Sequence, residues 1–128
     1  DHVGGYKEDL NGSDRSRYQI PLILAGGAIA RPLKVGIIGS QLDIAATLLA
    51  QLGVKHDDFK FSKNMMSDAT PKFAFFTSPD LFGVVSEENS IIYDNKAQKV
   101  VYDRGQKGYN LKRGKAYLQK LYDDLASK

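Results

Sequence analysis

The stretch 73–102 constrains the fold of this chain more than any other. Four β-rich runs, at 73–77, 82–86, 90–93 and 99–102, are separated by Ser78-Pro79-Asp80, Glu87-Glu88-Asn89 and a turn opening with Asp94-Asn95. Parallel neighbours need a crossover of about a dozen residues or more, and these gaps are too short. The runs therefore predict a four-stranded antiparallel sheet. Such a sheet keeps one face wet and buries the other. The cover is predicted to be a C-terminal helix over 112–125, with Leu118, Leu121, Tyr122 and Leu125 as its buried stripe.

Upstream, a second helix is predicted over 41–52. Ser40 is a good N-cap residue, and Asp43 stands where a capping box places its acidic partner. Leu42, Ala45, Ala46, Leu49 and Leu52 recur at spacings of three and four, giving one apolar face. Gly53 is placed to stop the helix. Before it, residues 18–24 read as a short buried strand with Pro21 near its start or at an edge. Residues 31–38 read as extended, with Leu33, Val35 and Ile37 at period two. Residues 1–16 are rich in turn formers and read as a loop. Between the second helix and the sheet, Phe59, Phe61, Met65 and Met66 are candidate anchors onto the core.

The chain has 128 residues, of which 42% are hydrophobic, enough for one α+β domain with its own core. It has no cysteine, which excludes disulfides, thiolate zinc sites and a thiol nucleophile. The net charge of +3 is too small to argue for nucleic acid by itself. The cations are uneven, however. Residues 104–120 hold six Lys or Arg and no acid. That stretch could face phosphate, nucleic acid or anionic lipid, or be the solvated side of a helix. No apolar run approaches the ~20 residues of a membrane span. The chain opens on Asp1-His2-Val3-Gly4-Gly5 with no initiator Met, which reads as a segment of something longer.

Few residues announce chemistry on their own. His56 lies among Lys55, Asp57 and Asp58, the company of a solvated loop. Gly36-Ile37-Ile38-Gly39-Ser40 lacks the lysine and the spacing of a phosphate loop. Asp1 and His2 are a carboxylate and an imidazole, both ligands for divalent ions. Adjacent side chains converge on one ion only where the chain leaves a regular strand, and Gly4-Gly5 supplies that freedom.

Three blocks together carry more. Ser40-x-x-Asp43-Ile44-x-x-Thr47-Leu48-Leu49-x-x-Leu52-Gly53 resembles a signature near the end of the catalytic core of sulfatases and their relatives. The run 18–27, Tyr-Gln-Ile-Pro-Leu-Ile-Leu-Ala-Gly-Gly, is similar to the strand that follows the metal site in those enzymes. Asp1-His2 falls where they keep an Asp-His metal pair. The chain thus resembles the alkaline phosphatase superfamily, in particular its lipoteichoic-acid-synthase-like branch of sulfatases and phosphoglycerol transferases. That branch continues with a Phe-Ser-Lys-Asn stretch, here 61–64, and a Phe-Ala-Phe-Phe-Thr strand, here 73–77. The family's Asp-His-Gly is here Asp1-His2-Val3-Gly4.

The resemblance implies an α+β C-terminal piece of an α/β alkaline-phosphatase-like fold. Residues 1–17 would form a metal-site loop, 18–53 the end of the catalytic core, and 54–128 a subdomain of antiparallel sheet and helix. It implies a divalent ion, manganese, zinc or magnesium, held partly by Asp1 and His2. It places a Thr, Ser or formylglycine nucleophile upstream, so no catalytic residue is expected here, and Thr47 is assigned to helix packing. The ion would activate the nucleophile and stabilise charge on the phosphoryl or sulfuryl oxygens, and a covalent intermediate would pass to water or an alcohol. The implied partners are phosphate or sulfate esters, among them phospholipid head groups, with no nucleic acid. The parent would be membrane-anchored and extracytoplasmic. An unpaired edge at 18–24 would invite a second copy by strand addition. The alternative is a non-enzymatic α+β module whose basic C-terminal region binds an anionic partner.

Overall fold

The structure, a computed structural model, describes residues 14–27, 31–32 and 34–128. The chain divides into two compact units, Asp1–Gly36 and Ile37–Lys128. In the first, the regular element among the described residues is a 3-10 turn at Arg15–Tyr18. Asp14 starts it by accepting hydrogen bonds from the amide and the hydroxyl of Ser16, both at 2.8 Å.

The strand expected at 18–24 is not formed. Leu22, Ile23 and Leu24 are exposed, Ile23 at 81%. A strand is stable only as part of a ladder, and among the described residues no partner strand pairs with this run. The described part of 31–38 carries no strand either.

The second unit contains α1 (Asp43–Gln51), β1 (Phe73–Thr77), β2 (Leu81–Ser86), β3 (Asn89–Asp94), β4 (Lys99–Gly105) and α2 (Leu111–Ala126). The strands form one antiparallel meander in the order β1-β2-β3-β4, as the short gaps require. A register shift at Ile92/Tyr93 interrupts the β3–β4 ladder. Asp94 shapes the turn that follows by accepting from the amides of Lys96 (2.9 Å) and Ala97 (2.7 Å).

α2 covers the face that carries Phe75, Phe82, Val84, Ile91 and Tyr93. The Phe75 and Phe82 rings stack at 6.1 Å, and Tyr117 reaches down to within 4.5 Å of the Phe75 ring centre. Gly114 is the buried residue of the helix. A Cβ there would overlap the Phe82 ring and approach Val84 Cγ2 at 2.8 Å, so the absent side chain lets the helix lie close to β2. The stripe is therefore not the expected one. Leu111, Gly114, Tyr117, Leu118 and Leu121 face the sheet, while Tyr122 and Leu125 point to water, Leu125 at 68% exposure. The expected stripe ran too far towards the C-terminus because the glycine contact at the other end leaves no trace in an apolar pattern.

α1 ends as expected. Gly53 takes φ +68, its amide bonds Ala50 C=O (3.1 Å), and Val54 N–H reaches Leu49 C=O (2.9 Å). This double closure is a Schellman motif. The buried face is different from the expected one. Asp43, Ala46 and Thr47 are buried, whereas Leu42 and Leu52 are exposed, Leu52 at 74%. At 100° per residue this is a rotation of roughly a third of a turn, with Ala46 common to both faces. The cause is polar: the helix is held to the rest of the unit by hydrogen bonds.

Candidate functional site

Asp1 and His2, the residues expected to bind a metal, lie outside the described residues, as do Gly4 and Gly5. Among the described residues no group of three or more His, Cys, Asp or Glu is placed to hold a metal ion. His56 faces the carbonyl of Val54 at 3.3 Å. Among the described residues no helix is long and apolar enough to cross a membrane.

The motif residues of α1 and of the 61–64 stretch do come together. Asp43 is 1% exposed. Its Oδ2 accepts from the Ser40 amide (2.7 Å) and from Lys63 Nζ, and its Oδ1 accepts from the Lys63 amide (3.1 Å). A charge this deeply buried is tolerable only when paired and fully hydrogen-bonded, and Asp43 is both. Lys63 Nζ also donates to Phe73 C=O (2.9 Å) and lies 4.4 Å from the centre of the Phe73 ring. Thr47 donates to Asp43 C=O (2.6 Å) and accepts from the Met65 amide (3.0 Å). Ser62 Oγ accepts from the Ala46 amide (2.9 Å), tying the first turn of α1 to the 61–64 stretch.

Ser40 does not act as the expected side-chain N-cap. Asp43 makes its half of the capping box, but the Ser40 hydroxyl turns to β1 and accepts from the Phe75 amide at 2.7 Å. The sequence holds the residues of a cap, and the fold spends one of them on the sheet.

A second polar cluster fixes the start of α2. Asn110, fully buried, donates from Nδ2 to Ser86 Oγ (3.0 Å) and Asn89 C=O (2.8 Å), and its amide donates to Asn89 Oδ1 (3.2 Å). Asn89 Nδ2 donates to Asp103 (2.8 Å) and Arg104 C=O (3.0 Å). The Ser86 hydroxyl donates to Glu88 (2.6 Å), and this bond, with a smaller contribution from the Arg113 charge, holds the Glu88 carboxyl below its ordinary value. This cluster had no counterpart in the sequence reading. Isolated Asn and Ser residues carry no periodic signal.

Burial, and to a lesser degree the Asp43 charge, push the Tyr117 hydroxyl above its ordinary value; it donates to Phe61 C=O at 3.1 Å. At the other end of α2, Lys60 (3.0 Å) and Lys128 (3.2 Å) bracket Asp124 and hold it below its ordinary value, the Lys60 bond first. The three rim a groove of about 720 Å³ floored by Leu42, Ala45 and Phe61.

The basic stretch 104–120 is partly absorbed by aromatic rings. Arg113 lies 5.9 Å from Phe73 and 5.7 Å from Tyr109, and Lys115 lies 4.2 Å from Tyr93. Lys112 and Lys120 stand in solvent. No protein-family model, no curated protein and no solved structure matches the chain.

Proposed function

We propose that this chain is the C-terminal part of a metal-dependent enzyme acting on phosphate or sulfate esters, of the sulfatase and phosphoglycerol-transferase kind. The observation that carries this reading is the convergence of Ser40, Asp43, Thr47, Ser62 and Lys63 on one buried cluster. These positions carry the resemblance, and the hydrogen bonds that join its two halves bridge separations of 16 to 20 residues. The four-stranded antiparallel sheet and its covering helix support the reading in general shape.

Asp1 and His2 would hold a divalent ion. A carboxylate and an imidazole suit manganese, zinc or magnesium, and a working site needs further protein ligands and an open position. Bound there, the ion would supply charge stabilisation at the ester oxygens and activate a hydroxyl nucleophile. That nucleophile comes from elsewhere in the parent polypeptide, and the parent acts outside the cytoplasm at a membrane, where phospholipid head groups are within reach. The cluster around Asp43 gives α1 a fixed seat and takes no part in the chemistry. The test is turnover of p-nitrophenyl phosphate, p-nitrophenyl sulfate and a phosphatidylglycerol head-group donor by the intact parent, with and without manganese. Metal-dependent release from one of them is expected, with none from the 128-residue chain alone. Failure of the parent on all three would defeat the proposal.

A second reading, an anion-binding module without catalysis, draws on α2. That helix has no acid in its first turn and no base in its last, the reverse of what a helix dipole favours. Lys112, Arg113 and Lys115 there would gain from an anionic partner. Salt-dependent binding of the chain to anionic vesicles, together with an inactive parent, would favour this reading.

A further inference from the structure

β1 is an edge strand, and the first half of its outward side is occupied. In an antiparallel strand the groups that point away from the neighbour belong to alternate residues. Phe73 C=O accepts from Lys63 Nζ at 2.9 Å, and Phe75 N–H donates to Ser40 Oγ at 2.7 Å. These two groups flank Ala74 and are the ones an added strand would use first. Both partners are side chains from residues 38–66, and both are fixed by Asp43, which accepts from the Ser40 amide and from Lys63 Nζ. The opposite edge, β4, is protected in the usual way by charge, with Lys99, Asp103 and Arg104 along it. β1 has no such residue: its sequence is Phe-Ala-Phe-Phe-Thr.

We infer that residues 38–66 form a strap that plugs the β1 edge, with the Asp43–Lys63 pair as its latch, and that opening the latch exposes β1 to strand addition by a second copy of this chain. The occupant follows from the strand itself. Antiparallel pairing of two β1 strands about Phe75 sets Phe73 against Thr77 and Ala74 against Phe76. Phe75 meets its own copy as an aromatic pair, the other large side chains meet smaller ones, and no charge opposes the approach. A strand with this composition and no gatekeeper needs a plug, and the buried ion pair is one.

Ser40→Ala removes the acceptor from the Phe75 amide and disturbs nothing charged. Asp43→Asn/Lys63→Met opens the latch without leaving one charge buried alone. Both would be examined in the whole chain by amide exchange and by light scattering over a range of concentrations. Ser40→Ala should speed exchange at Phe75 by about tenfold, the worth of one hydrogen bond, with Ile91 and Ile92 unchanged. The double variant should become a concentration-dependent dimer in which Phe75 is protected again. Adding Thr77→Lys, a charge at the edge, should return it to a monomer. Unchanged exchange at Phe75 in Ser40→Ala would overturn the plug. A double variant that stays monomeric, that loses the sheet, or that remains dimeric with Thr77→Lys would overturn the latch.

Discussion

Single side chains in this protein are used against their most obvious role. Asp43 reads as a helix-start acid and is a buried counter-ion; Lys63, from the 61–64 stretch, spans α1 and β1. Replacing Lys63 alone by Met leaves the Asp43 charge uncompensated and should cost about 3–5 kcal/mol. The double change with Asp43→Asn should cost less, and urea titrations of the two variants would show the order. Thr47→Ala strips the acceptor from the buried Met65 amide and should destabilise by about 1–3 kcal/mol. Tyr117 gives a signature in pH. Its hydroxyl titrates above the ordinary value of 10.0 in the folded chain, so the folded state keeps that proton longer than the unfolded state does. The associated stability is complete below the ordinary value and is lost as pH rises through the folded one. Urea midpoints above pH 10 should therefore fall more steeply for the native protein than for Tyr117→Phe, and parallel curves would contradict the assignment.

At the scale of elements, what was legible follows from what carries periodicity. The four strands and both helices of the second unit stand within a few residues of the segments that turn chemistry and apolar spacing mark out. The faces were harder. In α1 the leucines suggest one buried side, but the helix is drawn to the unit by Asp43, Thr47 and the Ser62 bond to Ala46, so Leu42, Leu48 and Leu52 stay wet and Leu49 is only half-buried. In α2 the decisive contact is the absence of a side chain. Gly114→Ala would gain about 1 kcal/mol in helix propensity. It would also drive a methyl into Phe82 and Val84, both buried, at a cost of about 1–3 kcal/mol. These buried side chains have little room to withdraw, so the overlap wins and a lowered Tm is expected; a raised Tm would show that the helix can lift. Leu49, half-buried, should cost no more than about 2 kcal/mol as Ala, the lower end for a core leucine.

For the whole molecule, the strand expected at 18–24 failed because a ladder is a property of two segments, and only one is visible in a local pattern. The candidate metal pair rests on resemblance alone, since two adjacent residues define no geometry, and it lies outside the described residues. In the proposed enzyme, Asp1 and His2 would be the ligands through which this chain takes part in catalysis. The most direct test is the metal content of the intact parent, purified with and without His2→Ala, alongside amide exchange at Ile91 and Ile92 as a check that the sheet is intact. Tightly held manganese, zinc or magnesium is expected in the native parent, with loss of that metal and of ester turnover in the variant while the sheet is unchanged. A variant that keeps its full metal complement and its turnover would contradict the proposal.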